Sequence, residues 1–436
     1  MKGPLENIRV LDFSEIIAGP FAGMLLSDMG ADVIKIEPPW GEPWRFSQPI
    51  VPNESRTYIS LNRGKKSLTL DLNKDSAKQI IYDLINDIDV VIVNYRPDVP
   101  ANLGIDYDTL SKMNPKLIYC QNTAYGSEGN DSYRPGYDII IQAMSGLMAA
   151  DGKLNEGIPQ SISATALADF STALTMSMSI CAALHARSIT GKGQKIEASL
   201  LATALALQTT SFLEVEMVDK EPKEELIETI NLLRESGAPY SDIHDYVDGI
   251  RLNNPAAFGI RMIYYRTYQA KDSVIAVACL SDRLRKKMAD AIGIYDRRFE
   301  PGYKADQEDN IAFTQNLRKE VEELFLTKTV QEWMEVLDSA GVPCGPVKFV
   351  SELMTDNQVI ANDIIREHEH PLVGKIKMIG PIVKMSETPL VPHDPSPTLG
   401  QNNDEILIAD SPELFSKHII LLLSDKNKAL KLKKKL

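Results

Sequence analysis

Ile8-Arg-Val-Leu-Asp-Phe13 is a short apolar run of strand character, Gly19-Pro20 opens a helical stretch over residues 21–29, and Ala31-Asp-Val-Ile-Lys-Ile-Glu37 is a second strand. The same alternation continues with a strand at 67–72, a helix at 76–86 and the apolar strand Asp89-Val-Val-Ile-Val-Asn94; Leu117-Ile-Tyr-Cys120 adds another. Strands that alternate with helices predict an α/β architecture, a parallel sheet covered by helices on both faces, with ligands beyond the carboxyl ends of the strands. The loops after Phe13, Glu37, Leu72, Asn94 and Gln121 are therefore where function is expected.

Further along, between Glu156 and Arg187, Asp169 is the one formal charge, set in Ser161-Ile-Ser-Ala-Thr-Ala-Leu-Ala-Asp169-Phe-Ser-Thr-Ala-Leu-Thr-Met-Ser-Met-Ser-Ile180. Desolvating an ion costs several kcal/mol even after relaxation, so this carboxylate needs a reason. Two readings stand. Asp is a favoured N-cap, and Phe170, Ala173, Leu174, Ser177, Met178, Cys181 and Leu184 follow at helical spacing. Alternatively, a partly dry carboxylate held ionised at a helix N-terminus is a nucleophile.

Thr190-Gly-Lys-Gly-Gln194 then turns into a strand at 195–198. Residues 214–235 are dense in Glu and Lys, with Leu226, Ile230 and Leu233 at helical spacing, and read as a linker with a solvated helix. A smaller mixed segment follows, with the strand Ser273-Val-Ile-Ala-Val-Ala-Cys279 and helices near 282–292, 310–326 and 329–339; Gly341-Val-Pro-Cys-Gly-Pro-Val347 comes next, and irregular structure is expected after Pro371.

The 436 residues leave room for two or three domains, and 44% hydrophobic with 25% charged residues is ordinary globular composition. A net charge of -13 speaks against nucleic acid and membrane surfaces as partners. The lysine-rich terminus, Lys426 to Lys435, reads as a solvated, frayed tail. Cys120, Cys181, Cys279 and Cys344 are far apart in apolar contexts and read as reduced core residues. With no signal-type segment after Met1-Lys2-Gly3-Pro4 and no run of about 18 apolar residues, the cytoplasm is the expected compartment.

Several chemistries find no support. A GxGxxG after the first strand, a Walker-type loop and a GxSxG elbow are all missing. His368 and His370 form a close pair without a third ligand and read as an exposed loop, so no metal is expected; His185 reads as packed or snorkelling near a helix C-terminus. In contrast, Asn62-Arg-Gly-Lys-Lys-Ser67 offers three cations before a strand, and Asn94-Tyr-Arg-Pro97 ends another with an amide, an aromatic ring and a guanidinium. Phosphates need such cations, and an adenine ring needs a flat partner.

Taken together, the motifs resemble the family III CoA-transferases (CaiB/BaiF type), which include formyl-CoA and carnitine CoA-transferases and are related to 2-methylacyl-CoA racemases. The segments that carry the resemblance are Val10-Leu-Asp-Phe-Ser-Glu-Ile-Ile-Ala-Gly-Pro20, Leu26-Ser-Asp-Met-Gly-Ala-Asp-Val-Ile-Lys-Ile-Glu37, residues 62–71, Asn94-Tyr-Arg-Pro97, Pro135-Gly-Tyr-Asp138 with Gln142-Ala-Met-Ser-Gly146, Ala168-Asp169, Thr190-Gly-Lys-Gly-Gln194 and Gly341-Val-Pro-Cys-Gly-Pro346. They stand in the family's order across most of the chain.

The resemblance implies a large Rossmann-like CoA-binding domain over 1–205, a linker at 206–225, a smaller α+β domain over 226–330, and a segment from 331 to 436 that returns to the large domain. It also implies an interlocked homodimer. Asp169 becomes the catalytic nucleophile, with acyl-CoA donor and carboxylic acid acceptor as substrates and no tightly bound cofactor. By position, Ile17, Ala18, Leu70, Asn73, Asn94, Tyr95, Arg96, Tyr137 and Asp138 should line the CoA channel, with Arg45, Arg63 and Lys66 as candidates for the phosphates. Amides near Ile17, Ala18 and Gly19 could stabilise oxyanions.

Three departures from the pattern matter. Ile17 stands where the formyl-CoA enzymes carry Gln, Asn102 replaces a common arginine, and their glycine-rich loop has no counterpart near 245–265. Oxalate or formyl specificity is therefore not carried over. The racemases use a His–Asp pair, and their His position falls at Tyr137; an unperturbed tyrosine is a poor proton acceptor at neutral pH. A CoA-binding protein without turnover is the non-catalytic alternative, against which the retained Asp169 argues.

Overall fold

The computed structural model describes residues 3–252, 263–304, 307–390 and 394–408. It divides into two compact units, residues 1–214 with 358–436, and residues 215–357. The lysine-rich tail and part of segment 245–265 lie outside the described residues.

The large unit is built on a six-stranded sheet in the order Gln194–Ser199, Ile118–Thr123, Val90–Val93, Arg9–Asp12, Asp32–Glu37, Lys66–Thr69. Every neighbouring pair is parallel, with Asp12 level with Lys35 on one side and Ile92 on the other. Alternate residues serve opposite faces, as the two-residue period of a strand requires. Leu11, Phe13, Ile34, Ile36, Val91 and Val93 pack with Ile80, Ile81, Leu84 and Leu110. Val10, Val33, Val90 and Ile92 pack with Ala22, Leu26, Met176 and Ile180 on the other side. Burial on both faces explains why these strands are continuous apolar runs rather than alternating ones.

The helix Ala18–Asp28 lies close over the sheet because of its glycines. A Cβ at Gly23 would sit 2.9 Å from Asp12 Oδ2 and 3.2 Å from Lys65 Nζ, so only glycine lets the helix approach the ion pair below it. The helix Leu167–Thr190 is long and apolar enough to pass for a membrane span; its Ala173, Met176, Ile180 and Ala183 are committed to the core of the sheet.

From the first strand the chain runs outward to Lys66–Thr69, then restarts on the opposite side at Val90–Val93. That reversal opens a crevice at the carboxyl ends of Arg9–Asp12 and Val90–Val93, the place where such sheets bind ligands.

The returning segment differs from the expected irregular chain. Ile365–His370 and Gly374–Ile379 form an antiparallel hairpin, so His368 and His370 lie on a strand rather than an exposed loop. His370 is buried, with Nε2 3.6 Å from Glu54 Oε2. Farther on, the side chains of Asn402 and Asn403 accept the amides of Ser67 (3.0 Å) and Thr69 (2.9 Å). They satisfy the open edge of the sheet that would otherwise invite another strand.

The small unit begins earlier and ends later than the sequence suggests, at 215 and 357 rather than 226 and 330. Tyr265–Gln269, Val274–Ala278 and Cys344–Pro346 make its antiparallel sheet, covered by Asp282–Ile292, Glu308–Phe325 and Val330–Ser339. Trp333, Leu337 and Val342 belong to its core, and the Trp333 indole donates to Phe325 O at 2.8 Å. The stretch 331–357 is therefore part of this unit, not of the return. Residues 206–214 belong to the large unit; the solvated helix expected over 214–235 is present as Glu216–Glu235, none of whose residues is buried, but it belongs to the smaller unit rather than to a linker ending at 225.

Candidate active site

Asp169 is not the cap of its helix. The helix Leu167–Thr190 starts after Ala166, whose side chain accepts nothing, and Asp169 is its third residue. The first-turn amides, which have no partner inside a helix, are held from outside. Asp138 Oδ1, from the helix Asp138–Met144, accepts from Ala168 N at 2.7 Å and Asp169 N at 3.3 Å. Its Oδ2 accepts from Gln142 Nε2, while Gln142 Oε1 accepts from Ile162 N at 2.8 Å. Asp138 and Gln142 are four apart on one helix, so they share a face; together they tie down the chain that leads into the catalytic candidate.

The surroundings of Asp169 are apolar. Ala18, Ile141, Leu147, Ala168, Leu200 and Ala204 form one buried cluster at this end of the helix, and the Phe170 ring meets Phe21 edge-on, centroids 5.0 Å apart. Among the described residues no donor reaches the Asp169 carboxylate. Burial first, and the Asp138 carboxylate second, push it up to about 7. The expectation that cap contacts keep Asp169 ionised is thus corrected: those amides serve Asp138, and Asp169 titrates near neutrality.

Ala18 brings the crevice loop to the same cluster. Ile16 has φ 71°, a left-handed conformation that is a genuine outlier for a β-branched residue and costs about 1–3 kcal/mol. The surroundings fix it. Ile16 N donates to Glu42 Oε2 at 2.9 Å, and Asn94 clamps Glu15 by accepting from its N at 2.9 Å and donating to its O at 2.7 Å. Glu42 in turn lies 3.2 Å from Lys35 Nζ, which donates to Ser14 O at 2.7 Å. The loop delivers the helix Ala18–Asp28 without a side-chain cap at Ile17, so the leading amides of Ala18 and Gly19, both buried residues, have no partner inside the helix.

The remaining sequence candidates separate into three groups. Asn94 and Tyr95 stand at the crevice, Tyr95 packed against the core, and Arg96 is exposed and paired with Asp98 at 3.0 Å. Tyr137 precedes the Asp138 helix and is 63% exposed. Leu70 is a core side chain, and Asn73 is exposed in a turn closed on Asp71. The proposed phosphate cations are corrected: Arg45 is wholly buried between Glu37 and Glu54, Arg63 is buried on Asp28, and Lys66 bridges Asp32 and Glu405 at the amino-terminal end of its strand. Lys65, their neighbour, is buried on Asp12, Pro20 O and Asn62, and its amine falls to about 8. Sequence reasoning gave no role to Gln142, Glu42 or Ile16; the i, i+4 spacing of Asp138 and Gln142 was the available signal for the first.

Comparison with known proteins places the chain in a family. Residues 5–253 and 247–403 match the model of CoA-transferase family III. The chain is 31% identical over 386 residues to the acetyl-CoA:oxalate CoA-transferase of Acetobacter aceti, covering 88% of this chain and 90% of that one. It is 30% identical over 410 residues to the succinyl-CoA:glutarate CoA-transferase of Mus musculus, covering 93% and 86%. Among solved structures it superposes on a CAIB/BAIF family protein from Brucella suis with TM-score 0.69 at 27% identity, covering 93% of this chain and 99% of that one. Rv3272 from M. tuberculosis gives TM-score 0.73 at 27% identity over the same shares. A match to the family's model across nearly the whole chain, joined to relatives of this length and identity, means that the chain belongs to CoA-transferase family III.

Proposed function

We propose that this enzyme moves CoA between an acyl-CoA donor and a carboxylic acid acceptor through covalent intermediates on Asp169. The observation that carries the reading is the Asp169 carboxylate itself: set among apolar side chains, without a protein donor, and titrating near 7. A carboxylate so placed is both available as an ion at neutral pH and more basic than its free form.

In the first step an Asp169 carboxylate oxygen attacks the donor thioester carbon. The C–S bond breaks, and CoA leaves as the thiolate with the electron pair, forming a mixed anhydride. The thiolate then attacks the Asp169 carbonyl carbon, the bond from that carbon to the bridging oxygen breaks, and the donor acid leaves with that oxygen as a carboxylate. The resulting aspartyl-CoA thioester is attacked by the acceptor carboxylate, and the same two steps run in reverse. One difficult exchange becomes a series of matched acyl transfers. The uncapped amides of Ala18 and Gly19 are the donors proposed for the tetrahedral oxyanions, and the apolar cluster restricts water, which would hydrolyse either intermediate. Tyr95 offers a flat partner for the adenine and Arg96 a cation for a phosphate; Ile17, Asn73 and Tyr137 complete the proposed CoA contacts.

Oxalate and glutarate occur in the names of the relatives, so short dicarboxylates are the first acceptors to try. The working form is proposed to be a cytoplasmic homodimer without tightly bound cofactor, metal or membrane association; a stable monomer in light scattering would count against the dimer.

Intact-mass analysis tests the chemistry. After mixing with acetyl-, succinyl- or glutaryl-CoA and rapid quenching, the protein is expected to carry CoA in thioester linkage on the Asp169 peptide. Turnover without any adduct, or deuterium wash-in from heavy water into a 2-methylacyl-CoA without CoA exchange, would overturn it.

A further inference from the structure

We infer that Asp138 is a positioning residue for the reaction, not a CoA contact: locked by Gln142, it caps the Asp169 helix and holds a second negative charge beside a carboxylate that loses its own charge on acylation. The inference rests on Asp169 being the nucleophile.

The geometry leaves Asp138 little freedom. Both carboxylate oxygens are engaged, Oδ1 with the amides of Ala168 and Asp169 and Oδ2 with Gln142. Gln142 is 1% exposed, and its amide cannot flip, because that would turn its oxygen toward Asp138 and its NH₂ toward the Ile162 amide. The cap therefore has one orientation, and with it the first turn of the helix has one position.

The charge has a second consequence. Two carboxylates at one helix terminus repel, which raises the protonation equilibrium of Asp169. Formation of the anhydride or the aspartyl-CoA thioester neutralises Asp169 and removes the repulsion. Asp138 thus destabilises the free nucleophile relative to its acylated forms and shifts the internal equilibrium toward the intermediates. Other charges do not share this role. The helix Leu200–Ala206 has none; Ala18–Asp28 has only Asp28, at its far end and paired with Arg63; Lys195 and Glu197 pair with each other; and Glu15, on the crevice loop, interacts with Glu42, Lys35 and Glu37.

Asp138→Asn keeps an acceptor for the helix amides and removes the charge. In the wild type, kcat/KM for CoA exchange is expected to rise through a midpoint near 7 as Asp169 ionises. In Asp138→Asn the midpoint should move toward the ordinary carboxylate range, and the fraction of enzyme trapped as the Asp169 adduct at equilibrium should fall about 3-fold or more, the equivalent of half a pH unit. Gln142→Met, which frees Asp138 to turn away, should move both in the same direction by less and lower kcat with little change in KM for acyl-CoA. An unmoved midpoint and unchanged adduct fraction in either folded variant overturn the inference while leaving Asp169 as nucleophile. A wild type that turns over without adduct overturns both.

Discussion

Asp169→Ala and Asp169→Asn are expected to lose CoA exchange by at least about 10³-fold, the scale seen when a covalent nucleophile is removed, with no adduct by mass and with acyl-CoA binding retained. The structure adds a second, less obvious expectation. Asp169 is held up to about 7 by burial and by Asp138, so the folded chain binds its proton more tightly than the unfolded chain, whose value is near the ordinary 3.8. Stability from this group is fully present below the unfolded value and is lost as pH rises from about 4 through about 7. At pH 8 the wild type carries that loss, and Asp169→Asn does not. The variant should therefore melt at the same temperature as the wild type or higher at pH 8, with the gap closing toward pH 4. An inactive variant that is also markedly less stable at pH 8 would mean that Asp169 is a structural group, and the nucleophile reading would fall. Retained activity would sink it directly.

What could be read in the chain follows the range of the forces involved. The parallel sheet was legible because its strands are buried on both faces and spell continuous apolar runs such as Val90–Val93. The hairpin Ile365–His370 with Gly374–Ile379 was not, since its strands are mostly polar and half-solvated. The isolation of Asp169 in an apolar stretch was visible in sequence, but the identity of its cap was not. Asp138 reaches those amides from 30 residues away, a tertiary contact that local spacing cannot encode. The same limit misled the reading of the cations. Arg45, Arg63 and Lys66 looked free because their partners, Glu37, Asp28 and Asp32, lie on neighbouring strands or helices. A cluster of cations before a strand is compatible with a phosphate site or with a set of buried ion pairs, and only the fold decides between them.

Arg45 supplies the sharpest test of that decision. Its guanidinium grips Glu37 with two bonds, Nε to Oε1 at 2.7 Å and Nη2 to Oε2 at 2.8 Å, while Nη1 reaches Glu54 Oε1 at 3.0 Å and Asn53 O at 3.0 Å. Nη2 also donates to Pro397 O at 3.2 Å, joining the returning segment to the sheet. Its Cζ lies over the Tyr58 ring, 3.6 Å from the ring centre. Arg45→Met would remove the cation and leave Glu37 and Glu54 facing each other in the interior. Breaking a buried pair in this way costs about 3–5 kcal/mol, a large share of the stability of a typical protein. Arg45→Lys should recover only part of it, since an ammonium cannot reproduce the two-bond fork or the stacking. The loss should also depend on pH. Glu54 already sits near 7 through burial, and without Arg45 both carboxylates would take up protons more readily; protonation relieves their repulsion, so the deficit against wild type should shrink from pH 8 to pH 6. In the variant that stays folded, KM for acyl-CoA should be unchanged. A variant of normal stability with a raised KM would instead return Arg45 to the CoA phosphates.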